Sequence, residues 1–214
     1  MAKTLLDIAL VAVLLSNVFI LGTSRLGAAI RIVAVQGAII GLLPLLLHDG
    51  GGVRGMLVVA PAVLLKGGII PFMLSRALAT ASIRREVEPL VGLVPSLVLG
   101  ALGTALAVAF AHRLPLLPEH ADSLIVPAAL STSLVGFLLL ITRLKAITQV
   151  LGYLVLENGI FVFGLLLVEA MPFLLEIGVL LDLFVAVFVM GIMVNHISRE
   201  FSSMDTDRLS TLKE

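Results

Sequence analysis

Long apolar runs alternate with short polar breaks from one end of the chain to the other. Seven windows, roughly 5–22, 28–47, 56–79, 90–111, 123–142, 147–168 and 173–196, are apolar over most of their length. A membrane-crossing helix needs about 20 mainly apolar residues, so each window predicts one span. The breaks collect the charges and the turn formers. Thr23–Gly27 holds Arg25, residues 48–52 read His-Asp-Gly-Gly-Gly, and 83–89 is a charged run closed by Pro89. Residues 112–122 carry two prolines, two acids and two histidines; 143–146 is short and basic; 169–172 is a tight acidic turn. The longest polar stretch, after His196, has about 18 residues, too few to fold alone.

Composition sharpens this picture. Hydrophobic residues make up 60% of the 214 and charged residues 13%, with a mean hydropathy of +1.19. A soluble domain carries about 25% charged residues, so this chain cannot cover a water-facing surface. The predicted fold class is an all-α integral membrane protein with lipid around it. Fourteen basic and fourteen acidic residues cancel, which gives no footprint for nucleic acid. No cysteine is present, which excludes disulfides and thiolate-held metal centres within the chain. The four histidines (His48, His112, His120, His196) fall at or near window ends, so no buried bis-histidine haem site is expected. Tyr153 is the sole tyrosine and there is no tryptophan. The usual aromatic belt at the membrane interface is therefore thin, as suits a subunit wrapped in other protein.

Leu5–Gly22 is longer than the 7–15 apolar residues of a secretory signal, so it is read as a retained helix. Basic residues set the orientation. Ten of the fourteen fall on one side of the alternating spans, three on the other, and Lys66 lies inside a span. The expected topology puts the N-terminus outside and the C-terminus in the cytoplasm.

The candidate chemistry lies in charges within the apolar windows. Lys66, Glu157 and Asp182 each fall nine or ten residues into their windows. At 1.5 Å per residue that is about 14–15 Å deep, near the middle of a hydrocarbon core of about 30 Å. Such groups pair with one another or line a hydrated path. One reading is that Lys66 pairs with a carboxylate and locks the bundle. A second is a proton relay, since burial disfavours the charged forms of both partners. A third leaves the charges to partner subunits. Glu176, three residues into the last window, either extends a path outward or is interfacial. It is six residues from Asp182, so the two point to different faces and form no local dyad. Asp7, at the start of the first window, is read as a helix-end residue.

Around Glu157 stand Asn158, Tyr153 one turn earlier and Gln149 two turns earlier, while Gln36 lies mid-depth in the second window. These side chains can hold waters or form helix–helix hydrogen bonds. Lys66-Gly67-Gly68-Ile69-Ile70-Pro71 puts two glycines and a proline directly after the intramembrane lysine, which predicts a kink or break there. Gly92, Gly100 and Gly103 predict close packing of the fourth span. No Walker A loop, GxGxxG, GxSxG or HExxH is present, so no autonomous active site is visible.

The stretch Gly152-Tyr153-Leu154-Val155-Leu156-Glu157-Asn158-Gly159 resembles the component E family of hydrogenase-4, as do Leu175-Glu176-Ile177-Gly178, Asp182 before Phe184-Val185-Ala186-Val187, and the tail Leu209–Lys213. Lys66 five residues before Pro71 fits the same pattern, and the similarity is expected to span the whole chain, strongest after residue 145. Members are membrane subunits of energy-converting nickel–iron (NiFe) hydrogenases and formate hydrogenlyase-type complexes. The last three windows are also similar to the small K subunit of respiratory complex I and the C subunit of multisubunit Na⁺/H⁺ antiporters. That subunit's first carboxylate would fall near Leu154, whereas the nearest acid here is Glu157, one turn later on the same face. Asp182 takes the approximate place of its third-helix glutamate, one methylene shorter.

The resemblance implies a four-helix part over 1–122, a three-helix part over 123–198 and a cytoplasmic tail over 199–214. It also implies a subunit of an oxidoreductase complex in the cytoplasmic membrane. The NiFe centre and iron–sulfur clusters would sit in a hydrophilic hydrogenase arm. Its membrane neighbours would be antiporter-like subunits and one like the complex I H subunit. Lys66, Glu157, Asp182 and Glu176 would form a proton path, supported by Tyr153, Asn158, Gln149 and Gln36. The competing expectation is a structural linker with paired charges, or a subunit of a cation/proton antiporter-related assembly. An independent transporter ranks last, because residues 1–110 and 111–214 show no convincing repeat.

Overall fold

The computed structural model of the chain describes residues 2–47, 53–80, 90–114 and 123–167. The described residues are helical apart from short turns. α1 is Ala2–Gly22 and α2 is Leu26–Leu47; α3 (Val53–Val63) runs through a π turn, Leu64–Ile69, into α4 (Ile70–Thr80). α5 is Leu93–Ala111, α6 is Ile125–Thr142 and α7 is Ala146–Gly164, ending in a 3₁₀ turn, Leu165–Leu167. Among the described residues, six helices are long and apolar enough to cross a membrane, with α3, the π turn and α4 counted together. They coincide with the first six predicted windows. The seventh window, 173–196, and the tail lie outside the described residues.

α1, α2, α7 and α6 form the centre of the bundle. The α3–α4 span lies against α2, and α5 lies against α1 and α6. Position accounts for exposure: 61% of the α6 window is buried, against 17% of α5. The apolar core divides into two clusters along the bundle. One, toward the Gly22 end, joins Leu21, Leu26, Ile30, Leu74, Leu139 and Leu151. The other, toward the Leu47 end, joins Leu10, Ile40, Leu43, Ile125, Phe161 and Val162. Between them, at matching depth, lie buried polar residues on all four central helices: Asn17, Gln36, Thr132 and Asn158.

Glycines let two of these interfaces close to backbone contact. A Cβ on Gly136 would lie 2.3 Å from the Leu156 nitrogen, and one on Gly159 2.5 Å from the Ser133 nitrogen. α6 and α7 therefore touch main chain to main chain, the small-residue packing favoured where lipid offers no hydrophobic drive. Gly37 does the same for α2 against the π turn, where a Cβ would sit 2.8 Å from the Lys66 Cβ. On α5 the pattern is uneven. Gly100 meets Leu21 closely, Gly103 makes an ordinary contact with Leu134, and among the described residues Gly92 is met only by its own helix's Pro95.

At the Gly22 end, Arg143 departs from its sequence reading as an ordinary loop cation. It is 2% exposed, and its Nη2 donates to the Leu21 carbonyl at 3.3 Å. The last carbonyls of a helix have no partner within that helix and carry the negative end of its dipole. Burial follows because the guanidinium supplies what the C-terminus of α1 lacks. Gln149 Nε2 donates to the Arg143 carbonyl at 3.2 Å, and the Leu90 N–H donates to the Thr142 carbonyl at 2.9 Å.

A candidate intramembrane proton site

The site begins with the irregularity after Val63. Pro71 has no N–H to give and its ring crowds the preceding turn, while Gly67 and Gly68 remove side-chain obstruction. The chain responds with neither a break nor a free end: it widens into a π turn, in which the Ile70 N–H reaches the Leu65 carbonyl, five residues back. π turns of this kind concentrate at functional positions. Here the turn carries Lys66, and Gly37 lets it lie directly against α2.

From that turn the Lys66 side chain reaches α7. Its Nζ forms an ion pair with Glu157 Oε1, donates to Asn158 Oδ1 at 3.4 Å, and stands 4.9 Å from the centre of the Phe161 ring. Glu157 and Asn158 are held in place by the α6–α7 contact at Gly136 and Gly159 on either side of them. The pair is asymmetric in exposure: the Lys66 side chain is 3% accessible and that of Glu157 12%. Beside them is a small cavity of about 10 Å³, lined by Val33, Gly37, Ile70 and Leu154 together with Lys66, Glu157 and Asn158. That is about the space one water occupies.

Behind Asn158 the polar contacts continue through the centre of the bundle. Asn158 Nδ2 donates to Gln36 Oε1 at 3.3 Å, Gln36 Nε2 to Asn17 Oδ1 at 2.8 Å, and Asn17 Nδ2 to Thr132 Oγ1 at 2.9 Å. Gln36 Nε2 also lies 3.4 Å from the Val13 carbonyl. A neighbouring hydroxyl pair, Thr104 and Ser131, joins α5 to α6 at 2.7 Å. With no water in hydrocarbon to satisfy these groups, five helices of the bundle depend on one another for their polar partners.

The structure thus brings together four of the sequence candidates: Lys66, Glu157, Asn158 and Gln36. Tyr153 lies one turn before Glu157 on α7, half-buried. Gln149 is elsewhere, exposed and serving the Arg143 carbonyl. Glu176 and Asp182 lie outside the described residues. Asp7 is half-buried, and its Oδ1 has no hydrogen-bond partner among the described residues. Asn17 and Thr132 were not among the sequence candidates for the site. The signal that would have found them is shared depth, since each is a polar residue well inside an apolar window. Among the described residues no three histidine, aspartate or glutamate side chains gather as a metal site.

Chemically, a carboxylate and an ammonium in contact can pass one proton between them without a net charge entering the hydrocarbon. The amides cannot relay protons in this way; they orient and solvate.

The chain is 34% identical to the Mycobacterium tuberculosis protein called "Uncharacterized protein Rv0085", over 212 residues that make up 98% of this chain and 96% of that one. It is also 34% identical to Hydrogenase-4 component E of Escherichia coli K12 and of Shigella flexneri, over 85 residues. That likeness spans 40% of this chain and 39% of each of those two proteins, rather than the whole length. No family model matches the chain. No solved structure matches it. The chain belongs to the family of the M. tuberculosis protein.

Proposed function

We propose, for this member of that family, a role as a membrane-arm subunit of a redox-driven, ion-translocating complex of the energy-converting hydrogenase type. The observation that carries the reading is the Lys66–Glu157 ion pair, buried between a π turn and α7 near the middle of the bundle. The partial likeness to hydrogenase-4 component E supplies the kind of complex. In this reading Glu157 and Lys66 form one station of a proton path that continues through Asp182 and Glu176 on a seventh span. The N-terminus lies outside and the C-terminus in the cytoplasm, in the cytoplasmic membrane. Residues 1–122 form a four-helix part and 123–198 a complex I K-subunit-like part. Antiporter-like subunits and a subunit like the complex I H subunit pack against it. The NiFe centre and iron–sulfur clusters belong to a hydrophilic arm, as does formate hydrogenlyase-type or other redox chemistry.

Two measurements test this. A pull-down from mild detergent on a C-terminal tag should recover antiporter-like subunits together with a NiFe or iron–sulfur arm; a chain eluting alone counts against it. In the recovered complex, Glu157→Gln and Asp182→Asn should leave assembly intact and reduce coupled proton movement. Unchanged coupling in both variants overturns the relay.

The contacts of Lys66 with Glu157, Asn158 and Phe161 favour one other reading, a structural linker whose charges are merely paired. Buried pairs of that sort exchange for apolar residues with little loss. Replacing Lys66 and Glu157 together by apolar residues would then preserve ion movement, whereas the relay predicts its loss in an assembled complex.

A further inference from the structure

The hydrogen bonds behind Lys66 have a direction. An ammonium has three donors and no acceptor, so the Asn158 atom facing Lys66 has to be Oδ1. That turns Asn158 Nδ2 toward Gln36, which must present Oε1. Gln36 then presents Nε2 to Asn17 Oδ1, and Asn17 presents Nδ2 to Thr132 Oγ1. All four contacts lie at 2.8–3.4 Å with the donor on the lysine side. The side-chain amides cannot flip singly without setting donor against donor or acceptor against acceptor. Each bond polarises the next, and in a low-dielectric interior such chains strengthen along their length. Every dipole has its negative end toward Lys66.

Lys66 is thereby surrounded. Its ammonium meets the Glu157 carboxylate, the Asn158 carbonyl and the face of Phe161. A lone ammonium attracted by an aromatic face gains further when desolvated. Glu157 is the more accessible of the two, at 12% against 3%, and the one-water cavity is lined by both. Amide nitrogens are not acidic and amide oxygens are only weakly basic, so no proton leaves the pair through the array.

We infer that Asn158, Gln36, Asn17 and Thr132 form a one-way hydrogen-bonded array that holds the resting pair ionised, with Lys66 as the ammonium and Glu157 as the carboxylate. This rests on the reading of the pair as a proton-handling centre. It assigns the four array members as positioning residues: each acts on Glu157 through Lys66. No proton then reaches or leaves the pair through the array.

The test is infrared spectroscopy at one neutral pH on the full chain, purified with whatever subunits accompany it. The quantity read is the carbonyl stretch of a protonated carboxylic acid, assigned to Glu157 by its disappearance in Glu157→Gln. The wild type should show no such band. Asn158→Leu and Gln36→Met should each bring it up toward one carboxyl per chain, as the pair relaxes to its neutral form. The Gln36 variant is the more telling, because Gln36 connects to Lys66 through Asn158. Thr132→Val should raise the band partway, and Thr132→Ser, which keeps the acceptor oxygen, should restore the wild-type spectrum.

A Glu157-dependent band in the wild type overturns the proposal, and that measurement needs no array variant to fold. Folded Asn158→Leu and Gln36→Met proteins without the band overturn it as well, as do identical spectra for Thr132→Val and Thr132→Ser. The spectra are taken without turnover. They report the charge on the pair whether or not the assembly moves ions, so failure here is distinguishable from failure of the transport assay.

Discussion

Replacing Gly136 by alanine asks whether the α6–α7 contact holds the site together. A Cβ there would lie 2.3 Å from the Leu156 nitrogen and 2.5 Å from its Cα. Unstrained contacts begin at about 3.4 Å, so the helices must separate by about 1 Å, because both obstructing atoms are backbone. Overpacking of this kind costs about 1–3 kcal/mol. Opening a contact by 0.5–1 Å also forfeits about a quarter to a half of each dispersion well along the seam. Alanine recovers at most about 1 kcal/mol in helix propensity over glycine. The net expectation is a loss of about 1–3 kcal/mol, and Glu157, the residue after Leu156, moves away from Lys66. The control is Gly103→Ala on α5, where the nearest atom is a leucine methyl at 3.6 Å. There the propensity gain should leave stability equal or slightly higher. A denaturing-detergent titration followed by circular dichroism reads both variants. Gly136→Ala as stable as the wild type and as Gly103→Ala would refute the backbone-contact account of this interface.

Three further outcomes follow from other contacts. Lys66→Met alone leaves the Glu157 carboxylate buried without its cation and should cost about 3–5 kcal/mol in the same titration; adding Glu157→Leu should recover most of that loss. Arg143→Met removes a charge-assisted bond to the Leu21 carbonyl and should cost about 1.5–3 kcal/mol, with Arg143→Lys recovering only part, since a lysine lacks the planar fork. Gly100→Ala meets Leu21 Cδ1 at 2.2 Å, the far end of a flexible side chain; it should cost clearly less than Gly136→Ala, no more than about 1 kcal/mol.

The first six spans were legible because hydrophobic runs of membrane length admit few other interpretations, and the described helices end where the polar breaks between them begin. The partners of the charged groups were not. Lys66 and Glu157 are 91 positions apart in the chain, and no local spacing reports which helices adjoin. Depth alone placed them at one level, but not in contact. The amide array was half-visible: Gln36 and Asn158 stand out as polar residues near Glu157 or at mid-depth. Asn17 and Thr132 read as single polar residues until α1 and α6, which carry them, are seen to face one another. The proline signal was sound in place, while the form of the irregularity, a widened turn before Pro71 with the helix continuing on either side, was not legible. Arg143 misleads for a simpler reason. Charge counts assign every loop cation to the interface, and nothing local in the sequence reports that the C-terminus of α1 receives this one.

The polar layer between the two apolar clusters has a consequence for how the bundle forms. Apolar surfaces in lipid can slide past one another at little cost, so they fix neither the vertical setting of a helix nor its neighbours. Amides in hydrocarbon can. Shifting α1, α2 or α7 by a single turn, about 5.4 Å, would strand Asn17, Gln36 or Asn158 beside leucines, with a hydrogen bond lost on each side. The layer therefore works as a key, as a lone buried asparagine does when it sets the register of a coiled coil. It also imposes an order on assembly. Each of these helices enters the bilayer carrying a group that only its neighbours can satisfy, so association becomes a condition of stable insertion rather than a later step.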